Sequence, residues 1–127
     1  MSKLVIASGN AGKLREIARI LAPLDIEAVP QSEFNVSDCP EPHVTFVENC
    51  LAKARHASAH SGLPALADDS GICVEALGGA PGVFSARYAG EPKSDARNND
   101  KLIAEMANAD NRRAHYTCVM VYVRHPD

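Results

Sequence analysis

Leu4-Val5-Ile6-Ala7-Ser8-Gly9-Asn10-Ala11-Gly12-Lys13-Leu14-Arg15-Glu16-Ile17 reads as a buried strand that breaks into a loop of small residues and then opens an amphipathic helix. Leu14, Ile17, Ala18 and Leu21 recur at i, i+3, i+4 and i+7, so one helical face is apolar. Gly9 and Gly12 allow a tight turn and a close approach of backbone to a ligand. The loop amides and the helix N-terminus then converge on one spot, where the helix dipole favours an anion, and Lys13 adds a full positive charge. Two readings stand at this point: a phosphate site, or an ordinary strand-to-helix turn with a surface lysine. The stretch is not a Walker A loop, which needs Gly where Ala7 stands and Ser or Thr where Leu14 stands. Any metal ligands must therefore come from elsewhere in the chain.

At 127 residues the chain has room for one domain, or for two small lobes sharing one. A hydrophobic share of 46% supports a packed core, and the mean hydropathy of −0.16 suits a soluble protein. The net charge of −3 argues against nucleic acid, because a broad footprint on it calls for a basic domain. The N-terminus lacks the basic start and apolar core of a signal peptide, and no run of eighteen apolar residues suggests a membrane span. Cys39, Cys50, Cys73 and Cys118 are scattered without a C-x-x-C pair. That disfavours zinc and a disulfide scaffold, and points to buried, reduced thiols in a cytoplasmic protein.

Strands and helices alternate. Pro23 stops the first helix, Ile26 to Val29 form a second strand, and a polar loop runs from Pro30 to His43. Thr45-Phe46-Val47-Glu48 fits a capping box. The helix it opens carries Val47, Cys50, Leu51, Ala54 and Ala57 on its apolar line, with Asn49, Lys53, His56 and His60 opposite and Gly62 as C-cap. Ala65 to Ala67 and Ile72 to Leu77 read as two strands separated by a turn, Asp68-Asp69-Ser70-Gly71, and Gly78 to Gly82 as a loop. Ser94 caps a third helix that buries Leu102, Ile103, Met106 and Ala107. His115 to Val123 is the clearest strand, rich in β-branched and aromatic residues. It leads into a turn at His125-Pro126-Asp127, an arrangement that suggests a missing continuation.

Asp68 and Asp69 form the second chemical constellation. Adjacent carboxylates in a tight turn can hold a hard cation such as magnesium, and one of them can take a proton from water. The same residue types also build an Asx turn with no chemistry at all. An anion cradle together with a carboxylate pair supplies both halves of a metal-dependent phosphoryl or nucleotidyl site. His56 and His60, at i and i+4, lack a third ligand and read as solvated; Glu48 reads as a cap, and Tyr88 beside Arg87 as packing.

Ser8 to Lys13, Phe46-Val47-Glu48-Asn49 with Lys53-Ala54, Ala67 to Gly71, Leu77 to Gly82 and Ser85-Ala86-Arg87-Tyr88 occur in that order. With these motifs the sequence closely resembles, over its whole length, the inosine/xanthosine triphosphate pyrophosphatases, house-cleaning enzymes for non-canonical purine nucleotides. The resemblance implies an α/β fold, two-lobed around a long curved mixed sheet with a central cleft. It implies magnesium-dependent hydrolysis of ITP, dITP or XTP to the monophosphate and pyrophosphate, by an enzyme that forms a homodimer when full length. By position in the motifs, Ser8, Gly9, Asn10, Ala11, Gly12 and Lys13 cradle the phosphates, Lys53 is a second neutralising cation, and Ser70 touches the substrate. Glu41 and Asp69 are the implied metal ligands, and Asp69 is also the general base. Asp68 either tunes Asp69 by repulsion or caps the turn. A usual member continues through a Gly-Phe-Gly-Tyr-Asp-type segment and a Ser-His-Arg segment, which are absent here. Residues 1–127 are therefore expected to be a single pyrophosphatase-like domain, incomplete at its C-terminus. The alternative function is a catalytically impaired nucleotide- or phosphate-binding fragment of that family.

Overall fold

The strand-loop-helix at the N-terminus supplies the strand that pairs in parallel with both its neighbours. In the computed structural model, which describes residues 2–36 and 44–127, β1 (Ser2–Ala7) leads through Asn10 into α1 (Ala11–Leu21) and back to β2 (Ile26–Pro30). After α2 (Phe46–Ser61) comes β3 (Ala65–Val74), then α3 (Asp95–Glu105) and β4 (Ala114–Val123). The strand order is β2-β1-β3-β4. β1 pairs in parallel with β2, Val5 opposite Val29, and with β3, Ala7 opposite Ala67. β4 runs against β3: Glu75 N donates to Arg113 O, while Cys73, two residues earlier, contacts Thr117. The sheet is therefore mixed and the fold α/β. Pro30 is tolerated because β2 lies at the end of the order, where a missing N–H breaks no ladder.

The chain divides into two compact units, Met1–Asp68 with Val119–Asp127, and Asp69–Cys118. In the first, Val5, Ala7, Cys50, Ala54, Ala57, Ala65 and Ala67 form the buried core, and Phe34, Leu63, Val119, Val121 and Val123 pack against it. The alanines matter because they let α2 lie close on the sheet without leaving voids. Thr45 caps α2 by accepting from Glu48 N, and its hydroxyl donates to the Glu48 carboxylate at 2.6 Å. Gly62 ends the helix in the left-handed region at φ 72°, where a side chain would be strained. In the second unit, Ser94 caps α3, and Asn98, nearly buried, grips the preceding segment. Its amide donates to Ala86 O at 2.9 Å and its carbonyl accepts from Ala89 N at 2.8 Å.

Several expectations need correction. Asp68 to Gly71 is not a turn between two strands; it lies inside the ten-residue β3, which ends at Val74 and passes into a short 3-10 turn at Glu75–Leu77. Pairing with β1 carries the strand as far as Ala67, and beyond it Gly71 lets the segment 82–85 come down onto the backbone, an approach that turn composition does not reveal. Asn49, placed by periodicity on the polar face, is 1% exposed, whereas Val47 is 54% exposed. Of the four apolar residues expected on the buried side of α3, Leu102 and Met106 turn inward, whereas Ile103 and Ala107 are exposed. The thiols are mixed in exposure, with Cys50 buried, Cys73 half-buried and Cys118 exposed, and none of these three is in a disulfide; Cys39 lies outside the described residues.

Candidate active site

The loop between β1 and α1 is built by its own polar residues. Ser8 Oγ accepts from Asn10 N at 3.1 Å, and Asn10 Oδ1 accepts from Lys13 N at 3.1 Å, which makes Asn10 the N-cap of α1. Asn10 O also takes the Leu14 amide at 3.0 Å. Of the four amides that a helix start leaves without intrahelical partners, these bonds satisfy two, and the Ala11 and Gly12 amides remain directed at the helix end. The glycines contribute space rather than unusual backbone. A Cβ at Gly9 would meet nothing within 4 Å, so the loop is open there; one at Gly12 would come within 3.2 Å of the capping Asn10 oxygen.

From this loop the Lys13 side chain reaches β3, where its ammonium donates to Asp68 Oδ2 at 2.6 Å. The two residues are 55 positions apart in the chain. The parallel pairing of Ala7 with Ala67 brings them together, because Asp68 follows directly on β1's last partner. Asp68 is thus not a turn cap; it is a counter-ion of Lys13.

Asp69 follows on the same strand, half-buried, with its Oδ2 shielded from solvent, and Ser70 is half-buried beside it. Successive side chains of a strand leave on opposite faces. The carboxylates therefore do not stand side by side as a turn would have presented them. Ser70 leads into Gly71, the most confined glycine of the chain: a Cβ there would lie 2.2 Å from Gly82 O and 2.6 Å from Ser85 Oγ. Ser85 Oγ seals that junction, accepting from Ile72 N at 3.0 Å and donating to Gly82 O at 2.6 Å. Lys53 stands half-buried on α2, next to the fully buried Ala54. Glu41 lies outside the described residues.

The remaining candidates resolve into packing. Tyr88 donates to the Glu105 carboxylate, and Lys101 lies 4.2 Å from its ring centroid. Burial of the phenol, then its hydrogen bond to Glu105 and that residue's charge, push its pKa up to about 12. His56 and His60 stack with centroids 4.3 Å apart, and among the described residues no group of three or more His, Cys, Asp or Glu side chains gathers. No helix among the described residues is long and apolar enough to cross a membrane. Reading the motifs missed Asn98, although its place four and eight residues before Leu102 and Met106 puts it on the inward line of α3.

The model of the Ham1 family matches residues 4–127. Proteins named dITP/XTP pyrophosphatase from Nitrosomonas europaea and Chromobacterium violaceum are 67% and 66% identical to this chain over 125 residues. Each alignment covers 98% of this chain, which spans 62% and 64% of those relatives' own lengths. Among solved structures, a HAM1 protein from Coxiella burnetii superposes with a TM-score of 0.91 at 45% identity, covering 99% of this chain and 65% of that one. The Staphylococcus aureus Ham1 protein gives 0.86 at 40% identity, covering 97% and 64%.

Proposed function

This chain belongs to the Ham1 family, and from that premise we propose that it carries the hydrolytic residues of a magnesium-dependent pyrophosphatase for ITP, dITP and XTP. The products are the nucleoside monophosphate and pyrophosphate. The observation that carries the reading is the 2.6 Å bond from Lys13 to Asp68, which brings the cradle's cation against the carboxylate-bearing strand. The names of the relatives support the substrate class. Dimerisation rests on the resemblance, and cytoplasmic location on the scattered cysteines without a C-x-x-C pair.

The donor set suits magnesium. Asp69 offers a hard carboxylate oxygen, and Glu41 is the second ligand of the proposal. Magnesium asks a protein for only one or two carboxylates and completes its shell with water and phosphate oxygens. Zinc would ask for Cys and His ligands, which do not cluster among the described residues. When bound, magnesium would neutralise phosphate charge at the scissile bond. The chain's own residues do the rest. Asn10 and the first turn of α1 present amides to phosphate oxygens, and Lys13 and Lys53 hold the chain of phosphates as charge grows on the leaving pyrophosphate. Asp69 takes the proton from the attacking water, and Ser70 holds the substrate beside it.

Pyrophosphate release from ITP, with magnesium and with EDTA, tests the proposal. Turnover with magnesium that EDTA abolishes is expected. Tight nucleotide binding without pyrophosphate release under either condition would overturn it in favour of a binding role.

A further inference from the structure

Asp68 has no part in the chemistry assigned to Asp69, yet it is the more deeply set of the two. Its side chain is 8% exposed, and the ammonium it faces, on Lys13, belongs to a side chain 39% exposed. Such an arrangement has a direction. The carboxylate is fixed inside the sheet, while the lysine lies at the surface and can turn outward to a ligand. Lys13 is pinned at two points, its amide by Asn10 Oδ1 and its tip by Asp68 Oδ2. A four-carbon side chain held at both ends keeps its charge over the loop in the absence of any ligand, instead of sweeping through solvent.

We infer that Asp68 is a positioning residue: a built-in counter-ion that holds the Lys13 ammonium at the cradle and that a polyphosphate must displace in order to bind. The inference rests on the phosphate-cradle reading above and adds the role of Asp68 to it. Two consequences follow from the charges. The occupied counter-ion lowers the net charge of the empty cradle, so bare polyphosphate gains less on binding than an unpaired lysine would give it. The order imposed on Lys13 in advance reduces what must be arranged when the substrate arrives.

The test uses this protein, its Asp68→Asn and Asp68→Glu variants, and inorganic tripolyphosphate in EDTA. Side-chain ammonium NMR reads the order of Lys13 directly, with its resonance assigned through Lys13→Arg. In the parent, Lys13 should be more ordered than the exposed Lys3 and Lys93. Asp68→Asn should lower that order towards their level, and Asp68→Glu should restore part of it. Tripolyphosphate should bind Asp68→Asn roughly three- to tenfold more tightly than the parent, the gain from removing one adjacent carboxylate charge at near-surface dielectric. Where the Michaelis complex can be measured with ITP and magnesium, Asp68→Asn should lower kcat without raising KM, because the lysine is retained, the competing carboxylate is gone and only the aim is lost. A Lys13 resonance equally ordered in Asp68→Asn would overturn the inference, as would unchanged or weaker tripolyphosphate binding by a folded variant. Binding of tripolyphosphate to neither protein would overturn the cradle reading and the displacement with it. The ordering of Lys13 by Asp68 would still be decided by the resonance.

Discussion

Replacing Gly71 with Ala tests the most confined point of the second unit. The new methyl would sit 2.2 Å from Gly82 O and 2.6 Å from Ser85 Oγ. Ser85 can rotate away, but Gly82 O belongs to the backbone, so the segment must retreat by about 1 Å to reach ordinary contact. Overpacking of this kind costs roughly 1–3 kcal/mol. The retreat also breaks the Ser85 bridge to Ile72 N and Gly82 O, adding roughly 1 kcal/mol for each bond. A total of roughly 3–5 kcal/mol is expected. For a chain of this length that lowers the melting temperature by roughly 10–20 °C. Thermal and urea melts followed by circular dichroism measure the loss, and Ser85→Ala, expected to cost about 1–3 kcal/mol, separates the bridge from the clash. Because Asp69 and Ser70 directly precede Gly71, any turnover surviving in the variant should fall well below what the melting curve alone explains. A Gly71→Ala protein within ~0.5 kcal/mol of its parent, the range of an unremarkable surface change, would refute the close approach.

Asp69→Asn keeps the size of the side chain and removes its charge and proton affinity, so turnover should fall at least ~10²-fold, with nucleotide binding much less affected; steady-state kinetics beside equilibrium titration decides it, and near-normal turnover rules Asp69 out as the base. Lys13→Ala should weaken binding of the triphosphate more than of the bare nucleoside, and calorimetric titration of both ligands makes the comparison; equal losses would assign Lys13 another task. The same variant removes the ammonium that Asp68 faces and, discounted for the exposure of Lys13, should lose about 1–2 kcal/mol of stability. Tyr88 keeps its proton in the folded state to about pH 12, above the unfolded value of 10.0. Its contribution is therefore whole below pH 10.0 and is lost as the pH rises towards 12. Ultraviolet titration should show a late-ionising tyrosine that disappears in Tyr88→Phe.

The elements that local chemistry specifies were legible in the sequence. Asn10, Thr45 and Ser94 start helices, Gly62 ends one, and the apolar run of residues 4–7 becomes a central strand. What stayed hidden depends on partners far along the chain. Asp-Asp-Ser-Gly has the composition of a turn, and only its place after the β1 pairing and under the segment 82–85 makes it strand. The partner of Asp68 lies 55 residues away. The inward turn of Asn49 and Asn98 is likewise set by packing and the bonds made there, since a polar side chain gives periodicity nothing to register. Motif order, by contrast, identified the family from residues that the fold then placed on its elements.

β4 has one further consequence. Its Val119, Val121 and Val123 pack inward, while Tyr116, Met120 and Tyr122 are 73%, 52% and 56% exposed, and it is the last strand of the order among the described residues. Between Tyr116 and Val123 the strand has no charge and no proline to discourage a neighbour, but Arg112 and Arg113 precede it and Arg124 follows. Such an edge behaves as a colloid with guarded ends. In dilute salt the arginines hold copies apart; once ionic strength shrinks the screening length to ~10 Å or less, the aromatic stripe is free to find its like. Self-association of this chain should therefore rise with the salt in the buffer as well as with its concentration, and sedimentation at low and high ionic strength measures it.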